Sequence, residues 1–157
     1  MNDSLESVAL ANPFFQGLKP EYQDIIAGFA TEARFEPDQI LFREGEPANR
    51  FYLIQSGRIA LEAHQPADGT VLVQNLGAGD VLGWSWLFPP FVWHFRARAL
   101  EPTAAVVLDG AHLLIAAERN PSFGYDLMKR VAQVLVQRLQ ATRKQLLRQE
   151  IESIVEG

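Results

Sequence analysis

The chain has 157 residues, no cysteine, 48% apolar residues and a formal charge of −5. That length supports one domain with its own core, and the lack of thiols excludes disulfides and thiolate metal centres. The negative balance argues against a dedicated nucleic-acid binder, and no apolar run reaches the ~20 residues of a membrane span, so a cytoplasmic protein with no membrane or nucleic-acid partner is expected.

Residues 1–12, MNDSLESVALAN, read as a polar leader without the basic start of a signal peptide. Asn12-Pro13 supplies a cap and a first-turn proline ahead of Phe14, Phe15 and Leu18. A second helix is predicted from Pro20, with Tyr22, Ile25, Ile26 and Phe29 on one face. After Thr31 the period shortens. EARFEPDQILFREG, NRFYLIQSGRIALEAH and TVLVQNLGAGDVLG alternate or run apolar over short stretches. Turn residues break them at Pro37-Asp38, Glu44–Pro47, Ser56-Gly57, Ala67–Gly69 and Gly77–Asp80, and TAAVVLD closes the set near Asp109. Short strands at this spacing predict a sandwich or small barrel.

From Ala111 the helical period returns, and Asn120-Pro121-Ser122 is a start signal for a helix reaching to about Ile151. Met128, Val131, Leu135, Leu139, Thr142 and Leu146 recur along it at threes and fours, with Leu127, Val134 and Val136 widening the stripe. A helix of roughly 30 residues spans about 45 Å, more than a small barrel can cover. The excess seam is expected to pair with the same helix of a second copy; the alternative is a helix packed wholly on its own barrel. The chain thus divides into a leader (1–12), a β domain with N-terminal helices (13–118) and a C-terminal dimerisation helix (119–157).

One stretch, GAGDVLGWSWLFPPFVWHFRARALEP from Gly77 to Pro102, holds all three tryptophans, Trp84, Trp86 and Trp93. It reads as a glycine turn, an aromatic loop stiffened by Pro89-Pro90, and a strand with Phe95, Ala97 and Ala99 on one side and His94, Arg96 and Arg98 on the other. Glycine lets backbone N–H groups approach a bound group, so such a loop is a natural ligand cradle. Its lining here is aromatic.

With Gly45-Glu46, Phe51-Tyr52, Ile54 and Gly57, the run REGEPANRFYLIQSGRIAL resembles the strand–turn–strand of cyclic nucleotide-binding domains. LGAGDVLGWSWL resembles that family's L-x-x-G-D-x-F-G-E-x-A-L, ARALEPTAAVVLD its closing strands, and the last helix the dimerising helix of bacterial Crp/Fnr-type regulators. The resemblance runs from Phe14 to about Glu150. It implies a mainly β jelly roll (double-stranded β-helix) with N-terminal helices and a long C-terminal helix. It also implies a phosphate-binding loop at Gly83, Trp84, Ser85, Trp86, Leu87, Trp93 and His94, with Thr142 where a Crp-type helix touches ligand.

Against that pattern, Trp84 stands where the family has a ribose-binding Glu, Trp93 where it has a phosphate-binding Arg, and Trp86 where it has a small residue. Indole has one N–H and no charge, so it does not replace a bidentate guanidinium. Losing both anchors weakens nucleotide binding by roughly 10²- to 10⁴-fold. Three readings stay open: the aromatic loop fills the pocket, it cages a small hydrophobic ligand, or it retains residual nucleotide binding. Arg96 and Arg98 are expected to face solvent or a partner.

Catalysis finds no support. His64, His94 and His112 are isolated, there is no nucleophile elbow or phosphate loop, and no metal or cofactor is implied. No helix-turn-helix fits after Ile151. The expected function is a non-enzymatic sensor or interaction module acting as a homodimer, with a protein partner as an alternative to a small ligand. The rival is a bacterial transcription regulator separated from its DNA-binding half.

Overall fold

The computed structural model describes residues 2–26, 28–67 and 69–156. The alternating segments form eight strands: β1 (Ala30–Phe35), β2 (Ile40–Phe42), β3 (Arg50–Ser56), β4 (Ile59–Gln65), β5 (Gly69–Leu76), β6 (Val81–Leu82), β7 (Arg96–Ala99) and β8 (Thr103–Asp109). Every pairing is antiparallel. The strands make two sheets ordered β1-β8-β3-β6 and β2-β7-β4-β5. Because neighbours in each sheet are mostly distant in sequence, the chain crosses repeatedly between layers, as a jelly roll does. The jelly-roll expectation holds, but the sheets stay separate and do not close into a barrel.

β3 is buried from Phe51 to Ile54, since both of its faces are covered there. Phe51 points to the helical side, its ring 5.0 Å from Phe14 and 6.0 Å from Trp86. Tyr52 points the other way and meets Phe42 of the second sheet at 5.9 Å. This alternation of side chains joins the two sheets and the helical layer in one core.

Flanking the strands at the two ends of the chain are α1 (Asn2–Ala11), a 3-10 turn (Pro13–Phe15), α2 (Pro20–Ile26), α3 (Gly110–Arg119) and α4 (Pro121–Glu156). The segment read as a polar leader is therefore a helix. Leu5, Val8 and Ala9 recur at helical spacing, and Ala9 is fully buried. Asn12 caps as expected, its Oδ1 accepting from the Phe14 N–H at 2.9 Å, but it starts a 3-10 turn rather than a longer helix. Since α2 ends at Ile26, Phe29 lies beyond its face and meets the His112 ring at a tilt, centres 3.9 Å apart.

The helical stretch after Ala111 is two helices. They break at Asn120, whose Oδ1 accepts from the Phe123 N–H at 3.2 Å. The first turns of α4 anchor it: Phe123, Leu127 and Val131 are buried. Arg130 donates to the carbonyls of Phe14 and Gln16 at 2.7 and 2.8 Å while paired with Asp126. With 36 residues, α4 extends about 54 Å and runs past the body it covers.

Candidate ligand pocket

At the end of β6 the backbone turns at Gly83 with φ +92°. A Cβ there would sit 2.7 Å from the Arg50 carbonyl oxygen and 3.0 Å from the Trp93 ring, so only glycine fits both the conformation and the space. The chain then passes Trp84, makes a 3-10 turn over Ser85–Leu87, and crosses to β7.

That short turn sends its tryptophans in different directions. Trp86 turns away from the cleft, buried at 3% exposure, with its Nε1–H donating to the Gly83 carbonyl. Its ring lies flat over Gly110, where an added Cβ would come within 2.5 Å of Cγ. The Trp86 side chain therefore stays out of the cleft, although the resemblance gives its position a small residue. Leu87, also assigned there by sequence, packs on the core outside the cleft.

Trp93 is 4% exposed and stacks on Phe42, centroids 3.9 Å apart and planes 15° from parallel. Two backbone bonds tie it to the Glu44–Pro47 turn: Gly45 N–H to its carbonyl at 2.8 Å, and its own N–H to the Glu46 carbonyl at 3.0 Å. The indole is thus a wall of the fold. Trp84 is half-buried, with the Arg138 guanidinium carbon 4.6 Å from its ring centre.

Between loop, second sheet and α4 lies a cavity of about 290 Å³. Gly83, Trp84, Ser85, Trp93, His94 and Thr142 all line it. Apolar walls come from Phe42, Leu61, Val73, Leu82 and Phe95, and α4 adds Leu135, Arg138 and Leu139. The aromatic loop lines the cleft without filling it. The volume is at the small end for ligand pockets, roughly 300–1,000 Å³.

Sequence reading passed over Arg138, the one permanently charged side chain in this lining. It lies four residues before Thr142, so both reach the same face of α4; a cation inside an apolar stripe was the available signal. Its Nη2 donates to the Val81 carbonyl. Burial pushes its pKa down to about 10, although Asp80 pulls the other way. Thr142 is half-buried, and its Oγ1 accepts from Gln74 Nε2 at 3.3 Å.

Arg96 and Arg98 leave the cavity side, as alternation predicts, but solvent is not their main partner. Arg96 reaches Glu62 at 2.8 Å; Arg98 reaches Glu62 at 3.0 Å and Asp38 at 2.7 Å. Glu62 sits on the outer face of β4, buried at 8% side-chain exposure, and no sequence motif marks it. The hydrogen bond from Arg98 holds its carboxyl below the usual carboxylate range against desolvation, and Arg96 adds to the effect.

The expected seam of α4 divides. Val131 belongs to the chain's own core, which corrects its place in a dimer face, because α4 turns that position toward the sheet. Leu135 and Leu139 are exposed and also line the cavity, while Met128 and Leu146 are exposed without lining it. Among the described residues no group of three His, Asp or Glu could hold a metal, and no helix is long and apolar enough to cross a membrane.

The family model of the cyclic nucleotide-binding domain matches residues 32–120. The acetyltransferase Pat of Mycolicibacterium smegmatis is 37% identical over 70 residues, 45% of this chain and 21% of that protein. The CRP-like cAMP-activated global transcriptional regulator of Mycobacterium tuberculosis is 26% identical over 132 residues, 84% of this chain and 57% of the regulator. This chain thus spans a fifth to somewhat over half the length of those relatives. In structure it is similar to a candidate cyclic nucleotide-binding protein of Geobacter metallireducens, with TM-score 0.76 and 28% identity over 85% of this chain and 97% of that one. A cyclic nucleotide-binding domain from Methylobacillus flagellatus shares the fold at TM-score 0.76 and 20% identity, over 94% of this chain and 83% of that one.

Proposed function

The chain belongs to the cyclic nucleotide-binding domain family, and we propose that it is a non-enzymatic sensor module whose pocket takes a small apolar ligand in place of a cyclic nucleotide. The observation that carries this reading is Trp93 stacked on Phe42 where the family pattern places the phosphate cation. An indole cannot take the place of a bidentate guanidinium on phosphate, the cavity's one cation, Arg138, comes from α4 with its face on Trp84 and one N–H on the Val81 carbonyl, and Trp84 offers the ribose no acceptor. What remains is a cleft of aromatic and aliphatic walls with few polar groups, the usual character of a site for an apolar molecule.

A sensor role is supported by Leu135 and Leu139, which belong both to the cavity wall and to the free face of α4. A ligand touching them has a direct means of favouring one arrangement of that helix over another. The exposed Met128, Leu139 and Leu146 favour pairing of α4 with a second copy, and the net charge of −5 speaks against nucleic acid as the partner. The likeness to the mycobacterial regulator over 84% of this chain supports a second reading, a regulatory half that works with a DNA-binding unit elsewhere.

Thermal denaturation with 1 mM cyclic AMP or cyclic GMP tests the main reading. A site of micromolar affinity would add about 4 kcal/mol by mass action, or roughly 8–16 °C at this size. No shift is expected, and a rise of several degrees with either nucleotide refutes the proposal.

A further inference from the structure

We infer that the cavity is built for a flat apolar carboxylate, its body between the Phe42–Trp93 stack and the aliphatic walls and its anion on Arg138. This rests on the apolar-ligand reading above and adds the chemistry of the polar end. Among the side chains lining the cavity there is one permanent cation and no carboxylate. None of the ion pairs among the described residues includes Arg138. Asp80 acts on it only through space.

The guanidinium is placed to receive a carboxylate. Its face is covered by the Trp84 ring, and one N–H is taken by the Val81 carbonyl. A guanidinium has five N–H donors in one plane, so an arginine stacked on an indole keeps its other edges for in-plane partners. Two parallel bonds to a carboxylate are the best match to that fork. Arg138 stays charged at neutral pH, yet burial disfavours the charge. Asp80 offsets the cost of this partly desolvated cation from beyond ion-pair distance, and an anionic ligand in direct contact would offset more of it.

Size narrows the choice further. About 290 Å³ is the volume of roughly ten liquid waters, which suits a one- or two-ring acid. Ser85 and Thr142 add hydroxyls near the polar lining. The second sheet contributes Phe42, Leu61 and Val73, and its one polar side chain there, Gln74, already donates to Thr142, so a ligand with hydroxyls along its whole length would leave most of them unpaired there.

Calorimetry with 2-naphthoate, 2-naphthamide and cyclic AMP tests this on the wild type and on Arg138→Gln. On the wild type, naphthoate should bind about 10- to 100-fold more tightly than the uncharged amide of the same shape. Arg138→Gln should abolish the preference, bringing naphthoate down to the level of the amide on the same variant. Equal affinity of acid and amide on the wild type overturns the anion assignment without depending on any variant, and leaves the apolar-ligand reading standing. The anion assignment falls equally if a folded Arg138→Gln binds naphthoate undiminished. Failure of both naphthalene probes at millimolar concentration overturns both readings. Cyclic AMP binding more tightly than naphthoate overturns the apolar-ligand reading itself.

Discussion

The two tryptophans at the family's anchor positions should respond very differently to truncation. Trp93 is 4% exposed, stacked on Phe42 and in contact with the Gly83 turn, so Trp93→Ala removes a core ring beside an existing cavity. Aromatic truncations of this kind cost about 3–5 kcal/mol, of which the stack accounts for roughly 0.5–1.5. At about 2–4 °C per kcal/mol for a chain of this size, the melting temperature should fall by roughly 6–20 °C. Trp84 is half-buried and its clearest contact is the Arg138 guanidinium at 4.6 Å. Losing that contact costs roughly 0.5–2 kcal/mol, or about 1–8 °C. Differential scanning calorimetry at one fixed protein concentration reads both, and pairing each variant with Phe42→Ala isolates the coupling to the stack. Coupling of about 0.5–1.5 kcal/mol is expected for Trp93 and none for Trp84. If Trp93→Ala melts no lower than Trp84→Ala, the indole at 93 is not a wall of the fold and does not bar a phosphate.

Glu62→Gln should lower stability at neutral pH by about 1.5–3 kcal/mol, because two guanidinium partners lose their carboxylate. Since the folded state depresses this carboxyl's pKa, its contribution is present above the ordinary carboxylate range and lost as pH falls through the folded value. The gap between wild type and variant should therefore close in acid, and a pH-independent gap in urea melts would refute this account. Gly110→Ala drives a methyl into the Trp86 ring, within 2.5 Å of its Cγ, and should cost about 1–3 kcal/mol by overpacking; an unchanged melting temperature would show that Trp86 yields freely. Leu146→Asp tests assembly at a position outside the cavity that is 60% exposed in the single chain. By light scattering the wild type should run at about twice the 17.6 kDa chain mass and the variant at one, whereas a wild-type monomer at micromolar concentration contradicts pairing through α4.

Period and punctuation in the sequence were enough for the strands, for their turns and for the change to helix near Ala111, because each depends on neighbours a few residues away. The family resemblance likewise pointed to Gly83, Trp84 and Trp93, all of which line the cavity. Local reasoning went astray where one pattern serves two surfaces. In α4 a single apolar stripe meets the chain's own core at Leu127 and Val131, the cavity at Leu135 and solvent at Leu146, and a stripe carries no label for what it faces. In the 3-10 turn at Ser85, one rotation sends Trp86 to Gly110 while Trp84 stays in the cleft. The charged groups were the least legible. Glu62 meets Arg96 and Arg98 from 34 and 36 residues away, and Arg138 meets Val81 from 57 away. The sequence by itself determined the short strands and the flanking helices and, through its resemblance to the family, pointed to the jelly roll and to tryptophans at the two positions where that family carries its nucleotide anchors. Only the tertiary structure decided that an arginine from the last helix would stand at the cavity, because a charge's partners are chosen by packing between distant segments.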